Sequence, residues 1–157
     1  MRSGREPFDS PDVRALTEAQ QAEMLELYEG EADIGPTRDA SMFVEPDGVF
    51  VVVRDTDGAA VACGGVARFD TERGELKRMY VVPAYRGRGL GRRLLLELEE
   101  EARRLGYVAL VLETGDRQPE ALGLYASAAY ERIPCYPPYD SRALSLCFEK
   151  RLPPLEQ

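Results

Sequence analysis

Residues 80–92 read YVVPAYRGRGLGR, and this is the most informative stretch of the chain. Its first three residues are strand formers, Pro83 stops them, and glycines follow at positions 87, 89 and 91. Leucines then recur at 90, 94, 98 and 105 between charged residues, the spacing of an amphipathic helix that Gly106 ends. The stretch therefore predicts a strand, a glycine-rich turn and a long helix in direct succession.

A turn of this kind can hold an anion. Its glycines let the backbone approach a ligand, and the first N–H groups of the following helix have no partners inside that helix. The helix dipole adds about half a positive charge at this end, and Arg86, Arg88 and Arg92 add more. Such a site favours a phosphate or a pyrophosphate. A plainer interpretation, in which the glycines only make a tight turn, stays open.

The rest of the chain alternates strands and helices around this stretch. Strands are expected at 49–53, 60–69, 75–82, 107–112 and 143–149, and helices at 17–31, 90–106 and 119–129. Residues 1–10 and 153–157 are expected to be frayed. No repeat or linker interrupts the pattern, so residues 1–157 are expected to form one domain of the α/β (α+β) class.

Composition excludes several kinds of chemistry, because the 157 residues contain no histidine. Nucleophiles activated by imidazole and zinc sites with histidine ligands are both ruled out, and no metal site is expected. Twenty basic and 28 acidic residues give a net charge of −8, which argues against binding of nucleic acid. No apolar run reaches the roughly 20 residues of a membrane helix, and no secretory signal is expected. We expect a cytoplasmic protein with a neutral or cationic partner.

The chain has three cysteines, Cys63, Cys135 and Cys147, an odd number without a CxxC spacing. Neither a disulfide framework nor a zinc ribbon is indicated. Each cysteine lies among apolar residues without a neighbouring base. The three are therefore expected to be buried, reduced and unreactive.

Two classes of anion-binding enzyme compete for the glycine-rich turn. A dinucleotide fingerprint needs GxGxxG, whereas these glycines are spaced GxGxG and Arg92 stands where the third glycine should be. Glu113, at the end of the next strand, does sit near the place of a ribose-binding acid. Several strands precede the motif, however, and four residues separate Val82 from Gly87. A nicotinamide-dependent oxidoreductase is therefore the weaker alternative.

The second class fits better. Residues 86–91, RGRGLG, match the signature [QR]xxGx[GA], and at this point the sequence resembles the GCN5-related N-acetyltransferase (GNAT) family. The resemblance covers about 49–152 and includes, in family order, the strand, the long helix, the next apolar strand and a helix with Leu124-Tyr125. It implies a mixed, mostly antiparallel sheet flanked by helices and splayed between the strands at 75–82 and 107–113.

The resemblance also implies a cosubstrate, acetyl-CoA, and the residues that hold it. Family members bind its pyrophosphate with backbone amides of the signature and the helix start, here Arg86, Gly87, Arg88, Gly89, Leu90, Gly91 and Arg92. The strand before the turn pairs its backbone with the pantetheine arm, a role that maps to Met79, Tyr80 and Val81. An amide on this strand would also polarise the thioester carbonyl while the amine attacks.

Two side chains are candidate catalysts under this resemblance. Tyr125 corresponds to the family's helix tyrosine, which protonates the departing thiolate, and a phenol with a pKa of about 10 suits that task. A core tyrosine is the alternative. Glu75 lies four residues before Met79, where several members carry a glutamate base, and without a bulge the two side chains would share one face. A solvated glutamate facing Lys77 or Arg78, and a water relay without a dedicated base, stay open.

The implied activity is direct transfer of the acetyl group from acetyl-CoA to a primary amine of a small molecule in a ternary complex. The proline-rich loop 133–141 and the acids Glu31, Asp33 and Asp39 would form a mouth for a cationic acceptor, unless the loop is a plain connection. An acyl-CoA sensor without catalysis and a protein or peptide N-acetyltransferase are the alternatives. A homodimer is compatible with the resemblance, and neither nucleic acid nor a membrane is an expected partner.

Overall fold

The computed structural model describes residues 1–29 and 40–154, and in this part a mixed sheet has the strand order β1-β2-β3-β4-β5-β7-β6. The strands are β1 (Arg2–Arg5), β2 (Val49–Arg54), β3 (Ala60–Arg68), β4 (Arg73–Val81), β5 (Ala109–Gly115), β6 (Glu131–Ile133) and β7 (Ser145–Arg151). The helices are α1 (Pro11–Leu27), α2 (Leu90–Arg104) and α3 (Pro119–Ser127). Strands β4 and β5 run parallel, and the other neighbours run antiparallel. The predicted mixed, mostly antiparallel sheet flanked by helices is confirmed.

Alternate residues of the central strands pack on opposite faces of the sheet. Val51 of β2 lies in the apolar cluster that contains Leu94 and Leu98 of α2, whereas its neighbour Val52 packs with Val13 of α1. Both leucines are fully buried, as their helical spacing predicts. Helices α1 and α2 therefore cover the two faces. Within the described residues, no helix combines the length and apolar character needed to cross a membrane.

A β-bulge interrupts the pairing of β3 with β4. Between regular pairs on either side, Arg78 and Met79 together oppose the single residue Gly64, and Arg78 has a left-handed φ of 61°. The extra residue reverses the alternation of side chains. Met79 consequently packs with the α2 cluster and Tyr80 with the α1 cluster. Glu75 and Met79, which would share a face on a regular strand, lie on opposite faces.

Strands β4 and β5 separate soon after they begin to pair. Their ladder joins residues 73–75 to residues 109–111, whereas β4 continues to Val81 and β5 to Gly115. The remaining halves of the two strands therefore diverge and leave a gap in the middle of the sheet. The predicted splay between these strands is confirmed.

The first ten residues are not frayed, contrary to expectation. Residues 2–5 form β1 and pair with β2, which would otherwise present an open edge with unpaired backbone groups. The first helix begins at Pro11 and not near residue 17, because Ser10 Oγ accepts a hydrogen bond from the Val13 N–H at 3.3 Å and caps it. At the other end, residues 153 and 154 lie outside strands, and the expectation for 155–157 falls outside the described residues.

A short strand and a disulfide correct the expectation of three reduced cysteines. Strand β6 pairs with β7, and this places Ile133 opposite Cys147. Cys135 therefore comes within 5.0 Å of Cys147 (Cα to Cα), and the two form a disulfide. Their separation of 12 residues gives no hint of this pairing unless the hairpin is known. Cys63 is buried as predicted, and burial raises the pKa of its thiol to about 12.

We expect Gly65→Ala to destabilise the fold. A Cβ at this position would lie 2.6 Å from a Phe43 ring atom and 2.7 Å from a Phe50 ring atom, and overpacking of a core typically costs about 1–3 kcal/mol. In the matched variant Gly4→Ala, the new Cβ meets no atom within 4 Å. Its free energy of unfolding should lie within about 0.5 kcal/mol of that of wild type. Urea denaturation followed by circular dichroism measures both. Equal unfolding free energies for the two variants would contradict the prediction.

Candidate active site

The glycine-rich turn lies directly before α2. A 3₁₀ turn, Pro83–Tyr85, follows β4, and α2 begins at Leu90. Gly87 and Gly89 have left-handed φ angles of 77° and 78°, which residues with a Cβ rarely adopt. Gly89 is the N-cap of α2 and has no side chain with which to bond the N–H groups of the first turn. These N–H groups therefore keep their capacity to donate to a ligand.

The turn forms one wall of a cleft of about 490 Å³. The cleft lies between α1, the end of β4, the start of α2 and the start of α3. Nine of the ten predicted coenzyme-binding residues line it, namely Met79, Tyr80, Val81, Arg86, Gly87, Gly89, Leu90, Gly91 and Arg92. Arg88 does not line the cleft, and its guanidinium lies 5.2 Å from the ring centroid of Tyr85. Tyr125, the predicted catalytic acid, lines the same cleft.

The guanidinium of Arg86 forms hydrogen bonds with other groups of the protein. Its Nε donates to the Val81 carbonyl at 2.9 Å, and its Nη2 donates to the Glu23 carboxylate of α1 at 2.8 Å. The hydrogen bond from Arg86 lowers the pKa of Glu23 and, reciprocally, the pKa of Arg86 is raised. The side chain thus ties the turn to α1. Backbone N–H groups, more than this guanidinium, are the donors that the turn leaves for an anion.

Met79, at the bulge, contacts two other polar groups of the cleft. Its carbonyl accepts a hydrogen bond from Gln20 Nε2 at 3.0 Å, and the Tyr125 hydroxyl donates to its Sδ at 3.8 Å. Tyr125 is buried, and burial, assisted by the charge of Glu113, raises the pKa of its phenol to about 12. The phenol is therefore protonated at neutral pH, which suits a proton donor.

A second cavity, of about 440 Å³, adjoins the cleft at Met79 and Tyr125. Both residues line both cavities, as do Gln20 and Gln118. The polar walls of the second cavity come from β4, β5 and the segment around the start of β7, and they include Glu75, Lys77, Arg78, Glu113, Thr114, Arg142 and Ser145. Two adjoining cavities can hold two molecules next to each other, and a reaction between two bound molecules requires that proximity.

Glu75, the predicted base, is a buried wall residue of the second cavity, 9% exposed. The Tyr136 hydroxyl donates to its Oε2 at 3.0 Å, and the Lys77 ammonium lies 3.5 Å from its Oε1. Lys77 also donates to the Tyr139 hydroxyl at 3.3 Å. Both tyrosines belong to the proline-rich loop 133–141. Glu75 and Lys77 therefore attach this loop to β4.

Of the groups expected to form a mouth for the acceptor, the proline-rich loop lies within the described residues. Tyr139 is buried and lines the second cavity, and the Arg142 guanidinium lies 5.3 Å from its ring centroid. Burial and the charge of Glu75 raise the pKa of Tyr139. The loop is thus part of the cavity wall and more than a connection. The acids that were expected beside it lie outside the described residues, namely Glu31, Asp33 and Asp39.

Glu113 is a functional candidate that the sequence suggested only for a nicotinamide ribose. In the structure it lines the second cavity, and Ser145 Oγ donates to its Oε2 at 2.6 Å. Burial raises the pKa of its carboxyl. Ser145 comes close because β5 and β7 pair with Gly115 opposite Ser145. No local motif signals this register, because Gly115 and Ser145 are 30 positions apart in the chain.

Similarity to known proteins extends over most of the chain. The profile of the Acetyltransferase (GNAT) family matches residues 13–130. A protein of Azospirillum brasilense named IAA acetyltransferase is 41% identical over 138 residues, which are 85% of this chain and 89% of that protein. The N-alpha-acetyltransferase RimI of Mycobacterium tuberculosis is 34% identical over 128 residues, 77% of this chain and 78% of that protein.

Solved structures share the fold as well. A GNAT family acetyltransferase from Elizabethkingia anophelis with acetyl-CoA bound superposes with a TM-score of 0.69 at 17% identity, over 96% of this chain and 97% of that one. The family match displaces both the nicotinamide-dependent oxidoreductase and the sensor without catalysis. The chain belongs to the GNAT family and is an acyltransferase whose cosubstrate is acetyl-CoA.

Proposed function

We propose that this protein transfers the acetyl group of acetyl-CoA directly to a primary amine of a small molecule in a ternary complex. The junction of the two cavities at Tyr125 is the observation that carries the proposal. The second cavity, about 440 Å³, has the size of a small-molecule site. Direct transfer is favoured over an acyl-enzyme because the chain has no histidine to activate a nucleophile.

In this proposal the cosubstrate occupies the cleft of about 490 Å³. The N–H groups of residues 87–91 hold its pyrophosphate at the positive end of the α2 dipole. The backbone of Met79, Tyr80 and Val81 pairs with the pantetheine arm, which enters the gap between β4 and β5. As the resemblance implies, an N–H of this stretch of β4 polarises the thioester carbonyl while the amine attacks.

In the proposed reaction Tyr125 is the acid, and every proton that moves has a donor and an acceptor. The neutral amine attacks the thioester carbonyl carbon, the C–S bond breaks, and the thiolate takes the proton of the Tyr125 hydroxyl. The resulting phenolate then takes the second proton from the acylated nitrogen. An ammonium must first lose one proton to a base, for which the sequence predicts Glu75. Among the described residues of the acceptor cavity, Glu75 and Glu113 are the two carboxylates.

A panel of acceptors tests the proposed function. Thiol release from acetyl-CoA should be fastest with small primary amines, such as polyamines, amino acid derivatives or amino-bearing antibiotics. The second candidate acceptor is a protein or peptide N-terminus, because the chain is 34% identical to an N-alpha-acetyltransferase over 77% of its length. Peptides with free N-termini and with free lysines therefore belong in the same panel. Turnover confined to those peptides would overturn the small-molecule assignment.

Gly89→Ala should weaken acetyl-CoA binding by about tenfold or more, because a Cβ disfavours the left-handed φ of 78° and the N–H groups must shift. The new Cβ would meet no atom within 4 Å, so the stability loss should stay near 1–2 kcal/mol, roughly the cost of that backbone conformation. Isothermal titration with coenzyme A measures the affinity.

Gly91→Ala is the matched control for this turn. Its Cβ would lie 3.6 Å from Leu124 and 3.9 Å from Val81, which are ordinary contacts. Alanine also satisfies the last position of the signature. The control should bind coenzyme A within about threefold of wild type, a difference under 1 kcal/mol. Wild-type affinity in Gly89→Ala would show that the turn does not hold the pyrophosphate.

Tyr125→Phe should lower kcat by about 100-fold or more, the usual contribution of a general acid, while the Kd of acetyl-CoA stays within about twofold. Tyr130→Phe is the matched control, because Tyr130 is a buried neighbour whose hydroxyl donates to Glu99 at 2.9 Å and which lines neither cavity. Steady-state thiol release at saturating amine measures kcat. Unchanged kcat in Tyr125→Phe would remove this phenol from the mechanism.

A further inference from the structure

We propose that the disulfide between Cys135 and Cys147 is a redox-sensitive clamp on the acceptor cavity. The oxidised pair holds the proline-rich loop 133–141 in place as a wall of that cavity. Reduction of the pair releases the loop and weakens binding of the acceptor. The inference rests on the proposed function, because it treats the cavity of about 440 Å³ as the acceptor site.

The disulfide lies on the face of the sheet that carries the acceptor cavity. In the ladder of β5 with β7, Cys147 is paired with Glu113, which lines that cavity. Paired residues of neighbouring strands direct their side chains to the same face of a sheet. On the other side of β7, Cys147 is paired with Ile133 of β6, and Cys135 follows two residues later. The bond therefore fixes the start of the loop at β7.

From this point the loop extends across the sheet to β4. Because β5 lies between β7 and β4, a loop attached to both of them spans β5. Tyr136, the residue after Cys135, donates from its hydroxyl to Glu75 Oε2 at 3.0 Å. The Lys77 ammonium donates to the Tyr139 hydroxyl at 3.3 Å. The loop is thus held by a covalent bond at β7 and by hydrogen bonds at β4.

The covalent bond restricts the loop more than the hydrogen bonds do. A hydrogen bond contributes modestly to net stability, because both of its groups bond to water when they separate. A disulfide removes conformations that an open chain would sample, and this one joins residues separated by 12 positions. Without it, the start of the loop is restrained by β6, a strand of only three residues. Reduction should therefore let the loop move.

Movement of the loop concerns one of the two cavities. Tyr139, which the loop carries, is buried and lines the acceptor cavity. No residue of the loop lines the coenzyme cleft of about 490 Å³, and neither does Cys147. Reduction should therefore raise the KM for the amine and leave the affinity for coenzyme A unchanged. General loosening of the fold would change both.

A thiol can open the clamp from the side of Cys135. This residue is partly exposed, whereas Cys147 is fully buried. A thiolate of a reductant such as dithiothreitol attacks the sulfur of Cys135, the S–S bond breaks, and Cys147 leaves as a thiolate that takes a proton. A second thiolate of the reductant then displaces Cys135, which also takes a proton. Two electrons have passed to the protein, and the reductant has become a disulfide.

Kinetics of the oxidised and the reduced enzyme test the proposal, with the best amine of the panel. Reduction with dithiothreitol should raise the KM for the amine by at least about fivefold, while the Kd of coenzyme A stays within about twofold. Chromatography of coenzyme A measures the rate, because added thiol would interfere with detection of released thiol. Alkylation of the denatured protein, followed by mass spectrometry, should find one free cysteine before reduction and three after it.

Three variants separate the clamp from other effects of the reductant. Cys135→Ser should have the raised KM without reductant and should not respond to it. Cys147→Ala opens the same bond from the other side and serves if Cys135→Ser does not fold. Cys63→Ser is the matched control, because Cys63 is buried outside the disulfide, and it should respond to the reductant as wild type does.

The outcomes distinguish the clamp from the proposed function. An equal KM for the amine in the oxidised and reduced enzyme, or three alkylated cysteines before reduction, would overturn the inference and leave the proposed function standing. Weaker binding of coenzyme A on reduction would also overturn it, because the effect would not be confined to the acceptor cavity. Absence of coenzyme A formation by the wild-type enzyme with every amine, in both redox states, would instead refute the proposed function.

Discussion

Strands β4 and β5 pair as parallel neighbours only over residues 73–75 and 109–111, and the bulge at Arg78 then alters which side chains of β4 face each side of the sheet. The early end of the β4–β5 pairing and the bulge in β4 act together to shape the site. The divergence opens a gap in the sheet, and the bulge places Met79 beside Tyr125 at that gap. A regular, fully paired β4 would close the gap and place Glu75 and Met79 on the same face. The two cavities meet where β4 departs from regular pairing with both of its neighbours.

Burial raises the pKa of two side chains that line the second cavity, in a chain that has no histidine. Burial is the largest cause of the raised pKa values of both Tyr125 and Glu113. For the phenol, this means that the acid we propose keeps its proton at neutral pH. For the carboxyl, it means that Glu113 holds a proton more readily than an exposed glutamate does. Glu75, in contact with Lys77, keeps a charged partner and is suited to holding the loop.

Local patterns in the sequence were sufficient to predict the elements to which we assign cosubstrate binding. Residues 80–92 predicted the end of a strand, a glycine turn and α2, because backbone conformation and helical periodicity are local properties. The pairings between distant segments were not accessible in this way. Strand β1 exists because β2 offers an edge, and the disulfide of Cys135 exists because β6 pairs with β7. The contact of Ser145 with Glu113 depends on the register of β5 against β7, which a single sequence does not display.

The carboxyl of Glu113 has a thermodynamic cost, and the sign of this cost follows from its raised pKa. Folding favours the protonated carboxyl, so the stability that this group contributes is complete below the pKa of the unfolded chain and is lost as the pH rises through the folded pKa. At neutral pH the charged carboxylate therefore works against folding. The close-packed core under α2, where Leu94, Leu95 and Leu98 are fully buried, offsets that loss. A carboxylate that opposes folding at neutral pH is difficult to explain as a stabilising feature, whereas a negative charge in the wall of the second cavity suits the cationic acceptor that we propose.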